Sequence, residues 1–421
     1  MEALAQMILE DARKVLSEGH VCDHCLGRLF GRLSTGLSNS ERGKAIRVVL
    51  SLEDDVRNEQ FLHSGGVCWI CNGLFEQLPM WAKRALDALR EYEFHTYLVG
   101  THLSGMLAAS EEMAWSMLSE LHAEPLKAEI NREVGKLIGE ATGKDVDFEH
   151  PDVVVLLDLE GDAVEVKPSP IFIMGRYRKL IRGIPQTRWP HRACRGKGCE
   201  GCGFTGRQYP ESVDELISAP VVEAFLAKDT AFHGCGREDI DARMLGRGRP
   251  FVLEVISPKR RTIDLEELER VINEHAEGKV EVKGLTYTTR KTVERLKAAK
   301  YPKRYRIKVL LEHEVSPELI IHALEDITSN RIAQRTPKRV AHRRADKVRY
   351  RRVYEARLVA LEGTWAEIEL RCESGMYVKE LVSGDEGRTV PSLSQLLGVG
   401  ASVEELDVLD VEDESFLAET N

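Results

Sequence analysis

Two cysteine pairs near the start of the chain place the strongest constraint on its fold. Cys22 and Cys25 form one Cys-x-x-Cys pair, and Cys68 and Cys71 form a second. Four thiolates are the tetrahedral ligand set that zinc prefers in closed structural sites. We therefore predict that these cysteines share a structural Zn²⁺, with a small helical hairpin between the two pairs. Two unrelated buried pairs are the alternative interpretation.

The N-terminal sequence and the composition indicate an intracellular protein. The first residues, Met1-Glu2-Ala3-Leu4, lack the basic region of a secretory signal, and acidic Glu10 and Asp11 follow them. No apolar run approaches the roughly 18 residues of a membrane span. The chain has 421 residues, 43% of them hydrophobic, which is enough for about three domains. We expect a soluble, cytoplasmic protein that binds no membrane and whose paired cysteines bind metal instead of forming disulfides.

Hydrophobic patterning predicts an α+β protein of three domains. We expect a helical zinc-binding module over 1–75 and an α/β domain over 76–190. The region 191–421 alternates strands and helices without a regular βαβ period, which favours a mixed-sheet α+β domain. Its predicted strands are 251–256, 280–288, 305–311, 354–361 and 364–371, and its predicted helices are 211–226, 264–275, 290–297 and 317–326. The acidic tail after Val403 is expected to be solvated at its end.

A third cysteine group opens the last predicted domain. Cys194, Cys199 and Cys202 supply three thiols, and a metal would need a fourth ligand, for which His191 and Cys235 are candidates. A glycine-rich turn is the competing interpretation, because glycines alternate with these cysteines. The sequence leaves a second metal open.

Basic residues are concentrated in two clusters although the net charge of the chain is −10. Ten lysines and arginines lie between Arg331 and Arg352, against Asp346 alone, and a second cluster runs from Arg176 to Arg192. An acidic body with local basic stripes is typical of proteins that meet polyanions at defined places. Two such clusters favour RNA or DNA as a partner over a solvated charged loop.

The loop over 234–246 combines carboxylates with guanidinium groups. Asp239 and Asp241 lie between Arg237 and Arg243, and glycines flank the four residues. Glycine lets the backbone approach a ligand closely, and a neighbouring arginine keeps a carboxylate ionised. This pattern indicates a catalytic carboxylate on a loop, whereas a salt-bridged surface turn is the plainer alternative.

Several stretches together resemble a known family. Gly236-Arg237-Glu238-Asp239 looks like the Arg-x-Asp catalytic loop of pseudouridine synthases, and residues 374–381 resemble the strand-to-helix motif of the TruB-type enzymes. With 171–180, 184–187 and 334–346, nearly the whole chain resembles the archaeal tRNA pseudouridine synthases that isomerise uridines 54 and 55 of the TΨC loop. This resemblance implies a pseudouridine-synthase mixed-sheet catalytic domain over 191–421 and a THUMP-type RNA-binding domain over 76–190.

The resemblance also implies roles for individual side chains. Asp239 matches the catalytic aspartate, with Asp241 as its nearest competitor, and Lys379 stands where the basic partner of that aspartate belongs. Tyr305 matches the tyrosine that stacks on the uracil, although a plain core role is open, and Leu381 would form an apolar wall. The arginines expected to bind RNA are Arg237, Arg243, Arg335, Arg343, Arg344, Arg176 and Arg178. The implied partner is the TΨC arm of tRNA, with no organic cofactor and no obligate protein partner.

Two other functions remain open at this point. A THUMP-containing tRNA methyltransferase would need a glycine-rich loop after a strand to hold its methyl donor, whereas Gly246 and Gly248 precede a strand. The other is a non-catalytic, zinc-dependent RNA-binding protein, in which the basic clusters only position RNA.

Overall fold

The computed structural model describes residues 2–33, 36–57, 65–342 and 344–413. The chain divides into two compact units, each with its own hydrophobic core. The first unit extends to Ser169 and includes Lys259–Arg261, and the second takes Pro170–Pro258 and continues from Thr262. No helix within the described ranges is long and apolar enough to span a bilayer.

The first unit combines helices with a four-stranded sheet. Its helices are α1 (Glu2–Ser17), α2 (Asp23–Arg28), α3 (Asn39–Arg57), α4 (Leu74–Leu89), α5 (Gly105–Ser116) and α6 (Leu126–Thr142), and its strands are β1 (Thr96–His102), β2 (Asp145–Val146), β3 (Val153–Asp158) and β4 (Ala163–Pro168). The strand order is β2-β1-β3-β4, with β1 parallel to β2 and β3, and β4 antiparallel to β3.

The core of the first unit follows from the hydrophobic periods of its elements. In α6, Ile130, Val134 and Ile138 recur at a spacing of four and are buried. In β3, Val153 and Val155 alternate with partly exposed residues, as in a strand with one covered face. The same core contains side chains from the cysteine-pair region, so the segment 1–75 and the sheet share one hydrophobic interior.

The second unit is built on a ten-stranded mixed sheet. Its strands are β5 (Ile171–Lys179), β6 (Asp229–Gly234), β7 (Ala242–Ile256), β8 (Val280–Thr288), β9 (Lys303–Leu311), β10 (Arg331–Arg335), β11 (Val348–Glu362), β12 (Trp365–Cys372), β13 (Thr389–Val390) and β14 (Ala401–Val411), and its helices are α7 (Val213–Phe225), α8 (Leu265–His275), α9 (Arg290–Ala298), α10 (Pro317–Ser329), α11 (Val378–Ser383) and α12 (Leu393–Leu397). The order is β13-β10-β11-β12-β9-β14-β7-β5-β8, and β6 pairs with β7. The predicted strands and helices of this region are present with shifted ends.

The segment after Val403 occupies the middle of this sheet. We expected an acidic tail there, but β14 pairs antiparallel with β9 and parallel with β7. Leu406, Val408 and Val411 are buried, while arginines of neighbouring segments neutralise the intervening carboxylates. The chain beyond Asp413, where we expected solvation, lies outside the described residues.

The position of β5 differs from the predicted domain boundary at 190. This strand pairs with β7 and β8 in the large sheet, and most of its side chains are buried. Hydrophobic residues on both faces of a strand require cover on both sides, which the second unit supplies. The boundary between the units therefore lies near Ser169.

Candidate active site

A cleft of about 650 Å³ opens in the second unit. It lies where the loop between β6 and β7, the start of β9 and the segment leading into α11 come together. Its charged and aromatic lining residues are Trp189, Arg237, Glu238, Asp239, Asp241, Arg249, Lys303, Tyr305, Arg339, Arg344, Tyr377 and Lys379. Three side chains selected as catalytic from the sequence, Asp239, Tyr305 and Lys379, thus share one cavity.

Buried side chains fix the backbone of the loop that carries Asp239. Lys179 is fully buried, and its Nζ donates to the carbonyls of Asp239 at 3.0 Å and Ile240 at 3.2 Å. Gln186 Nε2 donates to the Gly236 carbonyl at 3.0 Å. A loop held at several carbonyls is preorganised, so the Asp239 carboxylate has a fixed position in the cleft.

The carboxylate of Glu238 points away from the solvent and has a structural function. Tyr177 donates its hydroxyl hydrogen to Glu238 at 2.9 Å, and Arg249 Nε donates at 2.8 Å. Arg249 Nη1 also donates to the Cys235 carbonyl at 2.8 Å. Burial raises the pKa of Tyr177 well above its usual value, so the phenol stays protonated as a donor. Adjacent carboxylates in the loop therefore differ in environment.

Asp239 faces an arginine that sequence reasoning did not select. Its carboxylate lies 3.2 Å from Arg339 Nη1 and Nη2, while Arg339 Nε donates to Glu380 at 2.6 Å. Burial lowers the pKa of Arg339, but the carboxylates of Glu380 and Asp239 outweigh burial and raise the pKa above its usual value. The guanidinium therefore stays charged. Arg339 belongs to the basic stretch 334–346, and only the fold shows which of its cations reaches Asp239.

Lys379 binds a different carboxylate from the one expected. Its Nζ donates to Asp241, two residues beyond Asp239. Burial raises the pKa of Asp241, but the hydrogen bond and charge of Lys379 outweigh burial and hold it below its usual value. The cleft therefore contains two ion pairs side by side, Asp239 with Arg339 and Asp241 with Lys379.

Tyr305 lines the cleft from β9. It pairs with Leu370 of β12 and Val408 of β14, and its side chain is 8% exposed. Burial raises the pKa of the phenol, so the ring is a neutral surface at physiological pH. Two residues earlier, the buried Lys303 also reaches the cleft, and burial together with Arg249 lowers its pKa to about 8. Sequence reasoning missed Lys303.

We expected Leu381 to form the apolar wall of the cleft, but it does not. Leu381 is 1% exposed and packs in the core of the second unit. The apolar lining instead comes from Ile240, Val340, Met376, Val378, Leu406 and Val408. The helical turn of α11 points Leu381 into the core, away from the cleft.

The arginines expected to bind RNA fall into two groups. Near the cleft, Arg237 lies 5.8 Å from the ring of Trp189, and Arg344 Nη1 donates to the Tyr377 hydroxyl at 2.9 Å. Arg335 is bound to Asp346, with its Nε 2.9 Å from that carboxylate. Arg343 lies outside the described residues.

The remaining three arginines are tied to carboxylates of the protein. Arg176 Nη1 donates to Asp413 at 2.5 Å and its other nitrogens donate to backbone carbonyls, Arg178 is paired with Glu281, and Arg243 Nε donates to Asp407 at 2.9 Å. These ion pairs weigh against direct binding of RNA by Arg176, Arg178 and Arg243. Their role in RNA binding stays a prediction.

In the first unit, the four cysteines of the two N-terminal pairs come together. The Sγ atoms of Cys22, Cys25, Cys68 and Cys71 all lie within 4.8 Å of one another, and Cys22 Sγ is 3.7 Å from Cys71 Sγ. A tetrahedral ion with bonds of about 2.3 Å to sulfur requires sulfur–sulfur distances of about 3.8 Å. The cluster therefore fits a metal ion, and the prediction that the two pairs meet is confirmed. His24 is not a ligand here, because it stacks on Phe75 and contacts Glu129.

Two family models match the chain. One, described as "Pus10, C-terminal", matches residues 172–412, and the other, described as "Pus10 THUMP domain, archaeal", matches residues 81–158. The first covers more than half of the chain and includes the whole cleft loop. Together they define a pseudouridine synthase with a THUMP domain.

Curated relatives match over nearly the full length. The tRNA pseudouridine synthase Pus10 of Methanothrix thermoacetophila is 48% identical over 97% of this chain and 95% of its own. That of Halorubrum lacusprofundi is 45% identical over 97% of each chain, and that of Methanopyrus kandleri 42% identical over 97% and 99%. A solved Cbf5-Nop10-Gar1 complex is similar over 48% of this chain and 47% of its own at 19% identity, but its TM-score of 0.30 is too low to support an argument.

The chain belongs to the Pus10 family of tRNA pseudouridine synthases. The resemblance seen in the sequence and the predicted fold class are thereby confirmed. Neither the methyltransferase nor the non-catalytic RNA-binding protein is supported by these matches.

Proposed function

We propose that this cleft converts uridine to pseudouridine at positions 54 and 55 of the TΨC loop of tRNA, with Asp239 as the catalytic carboxylate. A tRNA substrate also favours the cytoplasm as the site of action. The observation that carries the proposal is the placement of Asp239 in the cleft, on a backbone held by Lys179 and Gln186.

The proposed reaction needs no atom from outside the substrate. The bond from C1′ to N1 breaks, the uracil turns, and a bond from C1′ to C5 forms, while C5 loses a proton and N1 gains one. Asp239 either attacks the nucleoside or removes the proton, since a preorganised carboxylate can act as nucleophile or base. Arg339, which lies 3.2 Å from Asp239, forms an ion pair with that carboxylate in the free enzyme.

A base must leave its stack before Asp239 can reach the glycosidic bond. Extruding a nucleotide costs a few kcal/mol, and stacking on an aromatic ring returns roughly 1–3 kcal/mol. Tyr305 supplies a ring along the cleft, and Met376 and Val378 supply apolar surface. We propose that Lys379, which lines the cleft and is bound to Asp241 in the free enzyme, contacts the substrate phosphate or the uracil.

The cations around the cleft would hold the RNA backbone. We propose phosphate contacts for Arg237, Arg335, Arg343 and Arg344, since these belong to the loop or to the basic stretch beside it. Arg335 is paired with Asp346, but both side chains are exposed, so a phosphate can replace that carboxylate. Such contacts position the substrate without reading its sequence.

Replacing Asp239 by Asn should abolish turnover and leave tRNA binding largely unchanged. Asn keeps the size and shape of the side chain and one acceptor oxygen for Arg339, but it removes the charge and the second, basic oxygen. The measurement is pseudouridine formed on a transcript tRNA without added cofactor, together with the Kd for the same RNA. Asp241→Asn is the matched control, since it alters a carboxylate of the same loop and cleft.

Full activity of Asp239→Asn would overturn the assignment. If Asp241→Asn alone were inactive, Asp241 would take the catalytic role. Mapping the modified positions on the treated tRNA tests the proposed sites 54 and 55 separately from the chemistry.

We further propose that Cys22, Cys25, Cys68 and Cys71 bind a structural Zn²⁺. A closed set of four thiolates leaves no position for substrate, so the ion would stabilise the first unit and take no part in the reaction. Cys25→Ser should release zinc and lower the melting temperature of the first unit, because metal binding contributes directly to folding. Metal analysis and calorimetry measure both effects, and unchanged zinc content would contradict the site.

A further inference from the structure

A second group of metal-ligand side chains lies in the second unit, on the loop between β5 and α7. His191, Cys194, Cys199 and Cys202 place their ligand atoms within 4.8 Å of one another. The sequence left this group open between a metal site and a glycine-rich turn. The two interpretations differ in the distances that they require.

The distances fit a tetrahedral ion. Cys199 Sγ lies 3.8 Å from Cys202 Sγ, and Cys194 Sγ lies 4.0 Å from Cys202 Sγ. His191 Nδ1 is 3.5 Å from Cys194 Sγ and 3.4 Å from Cys199 Sγ. Zinc bonds of about 2.3 Å to sulfur and 2.0–2.1 Å to nitrogen give edges of about 3.8 Å between sulfurs and about 3.5 Å between nitrogen and sulfur. A disulfide would need about 2.0 Å.

Hydrogen bonds from backbone amides stabilise the thiolate form of Cys202 in this loop. The amide nitrogens of Cys199 and Gly206 each lie 3.3 Å from Cys202 Sγ and donate to it. Amide donors stabilise the negative sulfur that a metal requires. Gly198 has a φ of +87°, and a Cβ there would lie 2.7 Å from the Phe204 carbonyl. The chain is therefore folded tightly around the four ligands.

This loop lacks a hydrophobic core of its own. Over 189–205, all of which the structure describes, no side chain is buried, and Phe204 is 73% exposed. A long segment without a core usually needs a disulfide or a metal to hold one conformation. Three thiolates and one neutral imidazole on a divalent cation also leave only a single negative charge.

We infer that His191, Cys194, Cys199 and Cys202 bind a second structural Zn²⁺, which positions Trp189 at the cleft. The ligand loop is closed by the amide of His191 donating to the Gly206 carbonyl at 2.7 Å and by the amide of Gln208 donating to the Trp189 carbonyl at 2.8 Å. Trp189 lines the cleft.

The consequence for RNA rests on the proposed function. Trp189 packs edge-on against Tyr209 and lies under the guanidinium of Arg237. This aromatic surface beside the cleft is suited to a nucleotide of the substrate loop. The zinc ligands are positioning residues, because they act on RNA only through Trp189.

Metal counting on the full-length chain tests the site itself. The purified protein should bind two zinc ions, Cys199→Ser and Cys25→Ser one each, and the double variant none. Lys197→Ala, in the same loop but without a ligand atom, should keep two. Replacement of zinc by Co²⁺ should give thiolate-to-cobalt absorption that Cys199→Ser reduces. A wild-type chain with one zinc, or a Cys199→Ser variant with two, would overturn the inference.

His191 offers a variant that does not depend on losing a cysteine. His191→Cys should keep the second ion, since four thiolates also satisfy zinc, whereas His191→Ala should weaken its binding. If Cys199→Ser fails to fold, this pair still decides the question. Equal zinc retention by both variants would remove His191 from the site.

Binding of tRNA tests the positioning role independently of turnover. His191→Ala and Trp189→Ala should each weaken tRNA binding about fivefold or more, as expected when one base has no ring to stack on, and His191→Cys should not. Asp239→Asn should keep both zinc ions, so failure of the catalytic proposal leaves the metal result readable. Unchanged affinity in Trp189→Ala would show that the ion only stabilises the loop.

Discussion

Lys303 illustrates how a single side chain in the cleft affects stability. It is buried, its Nζ donates to the Tyr301 carbonyl at 3.1 Å and contacts Ser374 Oγ at 3.4 Å, and no described carboxylate pairs with it. Burial and the charge of Arg249 lower its pKa to about 8. The folded state therefore loses this proton at a lower pH than the unfolded state.

The pH dependence of Lys303→Met follows from this shift. Between about pH 8 and 10.5 the unfolded wild type holds the proton that the folded protein has released, so wild-type stability rises with pH in this interval. The fall from 10.5 to about 8 corresponds to about 3 kcal/mol. The stability of wild type relative to Lys303→Met should increase by about that amount from pH 7.5 to 10.5, measured by chemical denaturation.

Lys308→Met, at an exposed position of the same strand, is the control and should show little pH dependence. A constant difference between wild type and Lys303→Met over the same range would mean that Lys303 is solvated. The sequence could not predict that Lys303 is the buried cation, because Arg304 and Arg306 lie beside it in the chain.

At the scale of elements, β14 depends on the arginines that surround its carboxylates. Asp407 accepts from Arg243 Nε at 2.9 Å and from Arg182 Nη2 at 2.7 Å. Burial raises the pKa of Asp407, but these guanidinium groups outweigh burial and hold it below its usual value. Asp407 and Arg243 are also directly opposite each other in the parallel pairing of β14 with β7.

Asp407→Asn should therefore destabilise the second unit by about 2 kcal/mol at neutral pH. In wild type this stabilisation is complete above the usual carboxyl pKa of about 4 and is lost as the pH falls through the lower pKa of the folded state. The difference in free energy of unfolding between Asp407→Asn and wild type should accordingly become smaller in acid. Glu405→Gln removes another carboxylate bound to Arg182. Because the Glu405 side chain is 50% exposed, we expect this change to lower the free energy of unfolding by less than about 1 kcal/mol. Equal effects in both variants would contradict this account.

Local patterns predicted most elements but not their partners. The strand over 280–288 and the helix over 265–275 follow clear periods and are present within a residue of the prediction. In β14, by contrast, acidic residues at Glu404, Glu405 and Asp407 obscure the buried Leu406 and Val408. The arginine partners of Glu405 and Asp407 are more than 150 residues away along the chain, so no local signal reveals them.

In the cleft, the sequence predicts individual side chains but not the pairing of their charges. Motifs identified Asp239 and Tyr305, because the residues of each motif are close neighbours in the sequence. The pairing of Asp239 with Arg339 joins positions a hundred residues apart, and two neighbouring carboxylates compete for two cations. Only the three-dimensional arrangement decides which cation meets which carboxylate.

On the scale of the whole molecule, a net charge of −10 must be reconciled with a tRNA substrate. Arg331 and Arg352 are directly opposite each other across β10 and β11. Like charges at such positions destabilise a sheet unless something compensates them. Neither forms an ion pair with a described carboxylate, and Arg331 lies over the ring of Tyr350. This pair is therefore suited to a phosphate backbone.

Removing both charges should reduce the salt dependence of tRNA binding. For Arg331→Ala with Arg352→Ala, the slope of log affinity against log salt should fall by about 0.7 to 0.9 for each phosphate that the variant no longer binds. The measurement is a titration from about 50 to 200 mM salt. The control is Arg270→Ala with Lys279→Ala, which removes the same charge from residues bound to Glu267 and Glu211. An equal slope in both double variants would place the RNA elsewhere.

The order of strands in the large sheet has a consequence for biosynthesis. One half of this sheet ends at β9 and the other half begins at β7, and among the strands of the sheet β14 alone is hydrogen-bonded to both. It is also translated after every other strand of that sheet. A growing polypeptide on the ribosome therefore holds two half-sheets with open edges until this last segment emerges from the exit tunnel, and an mRNA truncated before codon 401 would yield a product that cannot join them.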